Sequence, residues 1–100
     1  MIDSRFLMAI KSFRDGETRD LHNDVSVQKW RNIERVARRK LVMLDAAPSL
    51  NAMRVPPGNH LKALHGDRAG QHSIRVNDQW RICFVWADGH AYDVEICDYH

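Results

Sequence analysis

Long hydrophobic runs are absent from this 100-residue sequence. No stretch of about 18 apolar residues occurs, which excludes a membrane-spanning helix. The first ten residues carry Asp3 and Arg5 within an apolar stretch and lack the basic lead and small-residue cleavage site of a secretory signal, so we expect an unexported, cytoplasmic protein. Cysteine is also scarce: two are too few to stabilise a small secreted scaffold, or to bind zinc without histidines.

Motifs for metal and nucleophilic chemistry are missing as well. There is no Cys-x-x-Cys, and the six histidines include no helical pair four residues apart, so we predict no metal site. No Gly-x-Ser-x-Gly elbow is present, and no glycine-rich phosphate loop joins a strand to a helix. The residues therefore point to no cofactor.

What the sequence does have is the composition of a globular protein, with 44% hydrophobic and 28% charged residues. This length supports one hydrophobic core, so we predict a single domain over residues 1–100. The net charge is only +2, yet residues 11–40 carry +4, residues 54–81 carry +3 and residues 82–100 carry −4. The cationic segments suit a polyanion such as a nucleic acid, although a solvated helix face would also explain the first of them.

Hydrophobic periodicity predicts the secondary structure. Residues 9–13 alternate like a short edge strand, and residues 17–22 form one or two helical turns. Ser26 caps a long helix over residues 27–47, whose apolar residues recur at spacings of three and four until Pro48 ends it. Residues 49–70 form a long loop that displays basic side chains, and loops of this length are usually functional or disordered.

The last third of the chain predicts three antiparallel strands over residues 71–76, 80–86 and 90–97. A one-residue slip would turn every apolar side chain outwards, so like faces must stay together. Three-residue turns at 77–79 and 87–89 achieve this and place Arg81 between Arg75 and Glu95. A two-residue second turn would bring Phe84 opposite Asp93 and is rejected. The long helix can then cover one continuous apolar face.

The opposite face of the predicted sheet carries two adjacent arginines. Direct pairing of Arg75 with Arg81 is a like-charge contact that normally costs from a few tenths of a kcal/mol to about 1 kcal/mol. Two explanations stay open at this point. The face is either a surface charge ladder with Asp93 and Glu95, or an anion site.

The same register predicts the state of the two cysteines. It separates Cys83 from Cys97 by about 13 Å along adjacent strands. A disulfide needs α-carbons within roughly 7 Å, so two free thiols are expected.

A basic patch near a terminal histidine remains as the candidate for chemistry. Cleavage of RNA without a metal needs a base for the 2′-OH proton, cations at the phosphate and an acid for the leaving 5′-oxygen. Tyr99 adds a surface on which a base can stack. The groups that can supply the chemistry are Arg81, Lys62, His65 and His100.

Three motifs carry a family resemblance: the turn Gly66-Asp67-Arg68, the strand segment Trp80-Arg81-Ile82 and the closing Asp98-Tyr99-His100. With residues 8–13 (MAIKSF), which match the family's Met-Ile-Lys-Ser-Phe opening, they resemble the HigB family of bacterial toxins within the RelE-like superfamily. The resemblance covers about residues 8–100, and residues 1–7 look like an N-terminal extension.

The resemblance implies an α+β, RelE-like fold in which an N-terminal strand and two helices pack on a small antiparallel β-sheet. It implies the toxin of a type II toxin–antitoxin module: a ribosome-dependent endoribonuclease, or mRNA interferase, that cleaves mRNA by general acid/base catalysis without a metal and so inhibits translation. The implied partners are a HigA-type helix-turn-helix antitoxin, the ribosomal decoding site with its mRNA, and operator DNA only through the antitoxin complex. No membrane partner is expected.

Residue roles carry over by position. The resemblance makes Arg81 the stabiliser of the phosphate and the transition state, and the closing motif supplies Asp98, Tyr99 and His100. Among these, His100 is assigned to proton transfer and Tyr99 to base stacking or orientation.

One departure from the family concerns Lys62 and His65. Family members often have Lys at the position of His65, whereas the position of Lys62 is His in some of them. Which of Lys62, His65 and His100 is the general base therefore stays open. Further RNA contacts are expected from basic residues of the loop and of the sheet face, namely Arg54, His60, Arg68 and Arg75.

An alternative function uses the same residues without catalysis. A non-catalytic module would bind ribosomal or other nucleic acid through this basic face. Both alternatives predict salt-dependent binding, because both contact phosphates.

Overall fold

The computed structural model describes residues 8–98. The expected N-terminal extension, residues 1–7, and the last two residues, 99–100, lie outside the described residues. The described part has two α-helices and one antiparallel sheet whose strands follow one another in chain order. These elements are α1 (Gly16–His22), α2 (Glu34–Asp45), β1 (Lys62–Ala63), β2 (His72–Arg75), β3 (Trp80–Ala87) and β4 (His90–Asp98).

The helices cover one face of this sheet, which confirms the expected α+β architecture. Ala37, Leu41 and Leu44 form the buried stripe of α2 and belong to the same hydrophobic core as Ile82 and Phe84 of β3. Side chains alternate along a strand, so the residues of β3 that alternate with Ile82 and Phe84 lie on the opposite, outer face. The helices therefore do not cover the outer face of the sheet. In the part of the chain that the structure describes, no helix is long and apolar enough to cross a membrane.

The prediction of one continuous helix over 27–47 with a Ser26 cap is wrong. A 3₁₀ turn spans Gln28–Trp30, and α2 begins only at Glu34, with no side-chain cap. The reason lies in the apolar spacing before α2. Buried Val27, Trp30 and Ile33 are spaced three apart, which matches the period of a 3₁₀ turn, and the amides of Trp30 and Ile33 bond three residues back.

The predicted strand at residues 9–13 is reduced to two isolated parallel bridges, from Ile10 to Ala91 and from Phe13 to Val94. Two features interrupt a regular ladder. The Ile10 amide donates to the Asp45 carboxylate at 3.0 Å rather than to a strand, and Asp93 between the two bridges has φ +53°. The segment still runs along β4 and covers that edge of the sheet.

The β2–β3 register is confirmed, because Ile74 pairs with Ile82 and Arg75 with Arg81. The β3–β4 register is not as predicted. Ala87 pairs directly with His90, so the turn has two residues, and both adopt positive φ, as type I′ turns require.

A β-bulge in β4 explains why the two-residue turn is compatible with an apolar inner face. Pairing is regular up to Cys83 opposite Glu95 and resumes at Val85 opposite Tyr92. Phe84 therefore faces two residues of β4, and the extra one, Asp93, adopts a left-handed backbone. The bulge corrects the faces without a three-residue turn, and it moves Glu95 from Arg81 to Cys83.

The long segment at 49–70 holds more structure than a loop. It contains three 3₁₀ turns, Leu50–Arg54, Pro57–Asn59 and Gly66–Arg68, together with β1. Lys62 of β1 pairs with Ser73 of β2. This short strand brings the basic segment against the outer face of the sheet.

Candidate active site

A cleft of about 250 Å³ opens on the outer face of the sheet. Lys62 reaches it from β1, Arg75 from β2 and Arg81 from β3, because the strand pairings place all three on one face. These three basic side chains share the cleft with a single carboxylate among its lining residues. The cleft is lined by His60, Lys62, Arg75, Asn77, Asp78 and Arg81.

Arg81 is the most constrained of these cations, with 4% of its surface exposed. Its Nε donates to Ser73 Oγ at 2.7 Å, and one terminal nitrogen donates to the His60 carbonyl at 2.6 Å and to the Ser73 carbonyl at 3.3 Å. A charge removed from water needs such bonds, because burial without them is costly. The bonds hold the guanidinium in one orientation at the cleft.

The His60 carbonyl is positioned by the loop around it. His60 adopts a left-handed backbone with φ +45°, directly after the turn Pro57–Asn59. Asn59 is fully buried and donates to the carbonyls of Met53 at 3.1 Å and Val55 at 3.3 Å. The loop is thus tied down at the residue that precedes the acceptor for Arg81.

Asn59 also links the cleft to α2. Its side-chain oxygen accepts a hydrogen bond from the buried Lys40 ammonium. Burial lowers the pKa of Lys40, and the neighbouring Arg39 and Arg75 lower it further. The charge of Arg75 in the cleft therefore affects the pKa of Lys40, a buried residue of α2.

The lining residues include three basic side chains and one carboxylate, and this excess of positive charge favours the anion site over the charge ladder. Glu95 lies opposite Cys83, and its carboxylate accepts from Arg68 at 2.6 Å. Arg75 pairs with Asp78 at 2.5 Å, and Asp78 lies within the cleft itself. The predicted contact of Arg81 with Glu95 is therefore wrong, and two cationic side chains share the cleft with Lys62.

The structure does not bring the other basic residues of the loop into this cleft. Arg68 donates a hydrogen bond to Glu95, and this bond raises the pKa of Arg68. His65 is exposed and directly precedes the Gly66–Arg68 turn. Arg54 donates to Asn51 at 2.8 Å and lines a separate depression of about 300 Å³. Of the predicted RNA contacts, only His60 and Arg75 line the cleft of Lys62 and Arg81.

The end of β4 approaches the cleft from the side of the 77–79 turn. Asp98 pairs with Trp80, and its carboxylate accepts from the Gln79 amide at 3.2 Å. Asp98 is therefore next to the turn, as expected, but opposite a residue that alternates with Arg81. Tyr99 and His100 lie outside the described residues, and their roles stay predictions.

The two cysteines are closer together than the sequence indicated. Cys97 lies opposite Arg81 and Cys83 opposite Glu95, which makes the cysteines diagonal neighbours on the outer face. The expected separation of about 13 Å is wrong because the bulge shifts the register. Both thiols are free, as predicted.

Two positioning residues were missed by the sequence analysis. Ser73 could have been found, since it alternates with Ile74 and so shares the face of Arg75 and Arg81. Asn59 gives no such signal, because it stands in a segment without periodicity. Among residues 8–98, no group of three or more His, Cys, Asp or Glu side chains could hold a metal ion.

The fold and the cleft together define the class: a small α+β domain with a cationic site on the face of its sheet that the helices do not cover. Residues 11–100 match a family described as the RelE-like toxin of type II toxin-antitoxin system HigB. The chain belongs to this HigB-like toxin family.

Individual proteins agree with this assignment. The chain is 48% identical over 60 residues to toxin HigB-1 of Vibrio cholerae, which is 60% of this chain and 63% of that protein. It is 48% identical over 40 residues to endoribonuclease HigB of Proteus vulgaris, covering 40% of this chain and 44% of that protein. The chain thus aligns with about half of the length of these relatives.

The fold itself has a counterpart among solved structures. A chain of the YoeB-YefM complex from Staphylococcus aureus matches 91% of this chain with a TM-score of 0.54, over 97% of its own length. Its sequence identity is 15%, so the likeness concerns the fold alone. With the family match, this establishes the RelE-like fold expected from the sequence.

Proposed function

We propose that the chain is an mRNA endoribonuclease that acts on the translating ribosome and is restrained by an antitoxin. Membership of the HigB-like toxin family supports the toxin role. The Proteus relative is named an endoribonuclease, and the YoeB structure is of a complex with YefM. By analogy, this chain has an antitoxin partner of HigA type with a helix-turn-helix, and operator DNA is bound only by the complex.

The observation that carries the proposal is the fixed Arg81 guanidinium in a cleft that it shares with Lys62 and Arg75. Preorganised cations stabilise charge that develops on a phosphate without reorganising during the reaction. Guanidinium groups also match phosphate geometry better than ammonium groups do. An RNA backbone laid across the sheet face would meet all three side chains.

The proposed reaction is an internal transfer at one phosphate. A base removes the proton of the ribose 2′-OH, and the 2′-oxygen attacks the phosphorus as the bond to the 5′-oxygen breaks. An acid protonates the leaving oxygen, which leaves a 2′,3′-cyclic phosphate and a 5′-OH. Arg81 stabilises the charged phosphorane, while Lys62, His65 and His100 are the candidates for proton transfer.

The cleft chemistry supports a reaction that needs no metal, because its charge is supplied by arginine and lysine. Tyr99 is proposed to stack on a base, and Asp98 to orient the closing motif. Action at the decoding site would place the protein in the cytoplasm.

The test uses the full chain, released from its antitoxin, with ribosomes translating a defined mRNA. Primer extension maps the cuts, and end-group analysis identifies the cyclic phosphate. We expect cleavage with ribosomes, little with mRNA alone, and no loss in the presence of a chelator. Arg81→Lys should reduce the rate about 10²–10³-fold, the usual effect of removing one transition-state donor.

A matched control keeps the interpretation clear. Arg19→Lys removes an exposed 3.4 Å contact with Asp20 on α1 and should cleave normally. Ribosome binding without any cleavage by the native chain would support the non-catalytic module instead. Equal cleavage of free mRNA would contradict ribosome dependence, and inhibition by the chelator would contradict the metal-independent reaction.

A further inference from the structure

Two thiols lie next to the proposed cleavage site and have no part in the proposed reaction. Cys97 is directly opposite Arg81 on the neighbouring strand, and Cys83 is two residues further along the same strand as Arg81. Cys83 is 4% exposed, whereas Cys97 is partly open to solvent. Diagonal neighbours on one sheet face are within reach of each other's side chains.

The surroundings give the two thiols different character. A hydrogen bond from Cys97 lowers the pKa of Cys83, and the nearby Arg68 and Arg81 lower it too, against burial and Glu95. The same hydrogen bond, together with burial, raises the pKa of Cys97. Cys83 is therefore the more readily ionised thiol of the pair.

Two neighbouring thiols of unequal acidity are the arrangement of redox-sensitive cysteine pairs. We propose that Cys83 and Cys97 form an oxidation site for hydrogen peroxide, at which a reversible disulfide closes and impairs the adjacent cleft. The pairing of the two thiols stands on strand geometry, and the order of attack stands on their difference in acidity. Its effect on RNA cleavage rests on the proposed function.

The chemistry balances in two steps. Cys83 loses its proton and attacks one oxygen of hydrogen peroxide as the thiolate, the O–O bond breaks, and Cys83 sulfenic acid and hydroxide form. The hydroxide takes up the released proton and becomes the first water. Cys97 then attacks the Cys83 sulfur, the S–O bond breaks, and the oxygen leaves as water with the Cys97 proton. Two thiols are oxidised by two electrons, which reduce one peroxide to two waters.

Strand geometry explains both the reversibility and the effect on the site. Diagonal neighbours usually have α-carbons about 7–8 Å apart, whereas a disulfide favours about 4.4–6.8 Å. The end of β4 must therefore move towards β3. This movement displaces Cys97, the residue opposite Arg81. A strained disulfide is also readily reduced, so ordinary thiols should restore the site.

The first measurement does not depend on RNA cleavage. The native chain, Cys83→Ala and Cys97→Ala are treated with hydrogen peroxide, and intact mass and peptide mapping follow the cysteines. We expect the native chain to lose two hydrogens in a Cys83–Cys97 cross-linked peptide that dithiothreitol reverses. In Cys97→Ala a dimedone adduct should appear at Cys83. No cross-link in the native chain, or an adduct at Cys97 only, would overturn the proposal.

The second measurement uses ribosome-dependent cleavage after removal of the peroxide. Peroxide treatment should lower the cleavage rate of the native chain at least about tenfold, and dithiothreitol should restore it. The cleavage rate of Cys83→Ala should be the same with and without peroxide treatment. Equal inactivation of both proteins would overturn the link to the cleft. If the untreated native chain does not cleave, the proposed function fails, while the mass measurement still decides on the modification site.

Discussion

The Nε of Arg81 donates to the Oγ of Ser73 at 2.7 Å, between diagonal neighbours on β3 and β2. Ser73 is completely buried, so this bond lies beneath the cleft rather than within it. The His60 carbonyl receives the other end of the guanidinium at 2.6 Å. Both of these acceptors are neutral, and together they hold the guanidinium at both ends.

Ser73→Ala should therefore reduce cleavage about tenfold, mainly in kcat, because the Arg81 guanidinium loses a bond that orients it. A tenfold loss corresponds to a barrier increase of about 1.4 kcal/mol. Ser73 is a positioning residue, and a double-mutant cycle tests this role. In the Arg81→Lys background the serine substitution should have little further effect on kcat. Ser49→Ala removes only an exposed cap bond to Ala52 and is the matched control. Equal losses in both backgrounds would indicate a merely structural role.

Asn59→Ala should lower the free energy of unfolding by about 3 kcal/mol. It leaves the buried Met53 carbonyl and the buried Lys40 ammonium without their partner, each at a cost of about 1–3 kcal/mol, and it also removes the partly buried bond to the Val55 carbonyl. Asn51→Ala removes an exposed bond to Arg54 and should cost under about 0.5 kcal/mol. Urea denaturation compares the two variants, and similar midpoints would contradict the buried role of Asn59.

Asp93→Val tests the β-bulge, because Asp93 has φ +53°. A β-branched residue in the left-handed region should cost about 1–2 kcal/mol, whereas Asp93→Gly should be neutral or stabilise by up to about 1 kcal/mol. In an unbulged strand the order would be reversed, since valine favours strands. Thermal unfolding of both variants therefore distinguishes the two registers.

Lys40→Met should change how stability depends on pH. Burial lowers the pKa of Lys40 in the folded protein relative to the unfolded value of 10.5, so between those two values the unfolded state binds more protons. The unfolding free energy of the native chain should then rise relative to Lys40→Met as the pH increases towards 10.5. A difference that stays constant over this range would show that Lys40 titrates normally.

The sequence predicted the face of each residue well where periodicity is strong. Alternation in 72–75 and 80–87 determined the pairing of Arg75 with Arg81 and the apolar surface beneath α2. The closing motifs indicated the family, which residues 11–100 match. These conclusions depend on local patterns, which involve only residues that are close together in the sequence.

The register of β3 against β4 was not accessible in this way. Periodicity alone excluded a two-residue turn, but one left-handed residue, Asp93, makes that turn compatible with the apolar face. Whether a strand accepts such a residue depends on the energy of the whole sheet. The mistaken register also separated Cys83 from Cys97 and paired Glu95 with Arg81.

By itself, then, the sequence determined the α+β class, the cationic sheet face and the residues that could act there. Tertiary structure alone decided which of them meet: Lys62, Arg75 and Arg81 share a cleft, whereas Arg54, His65 and Arg68 do not line it. The physical reason is that these contacts depend on how the 49–70 segment folds back on β2. That path is set by buried hydrogen bonds such as the one from Lys40 to Asn59. No periodic pattern in the sequence predicts such a bond.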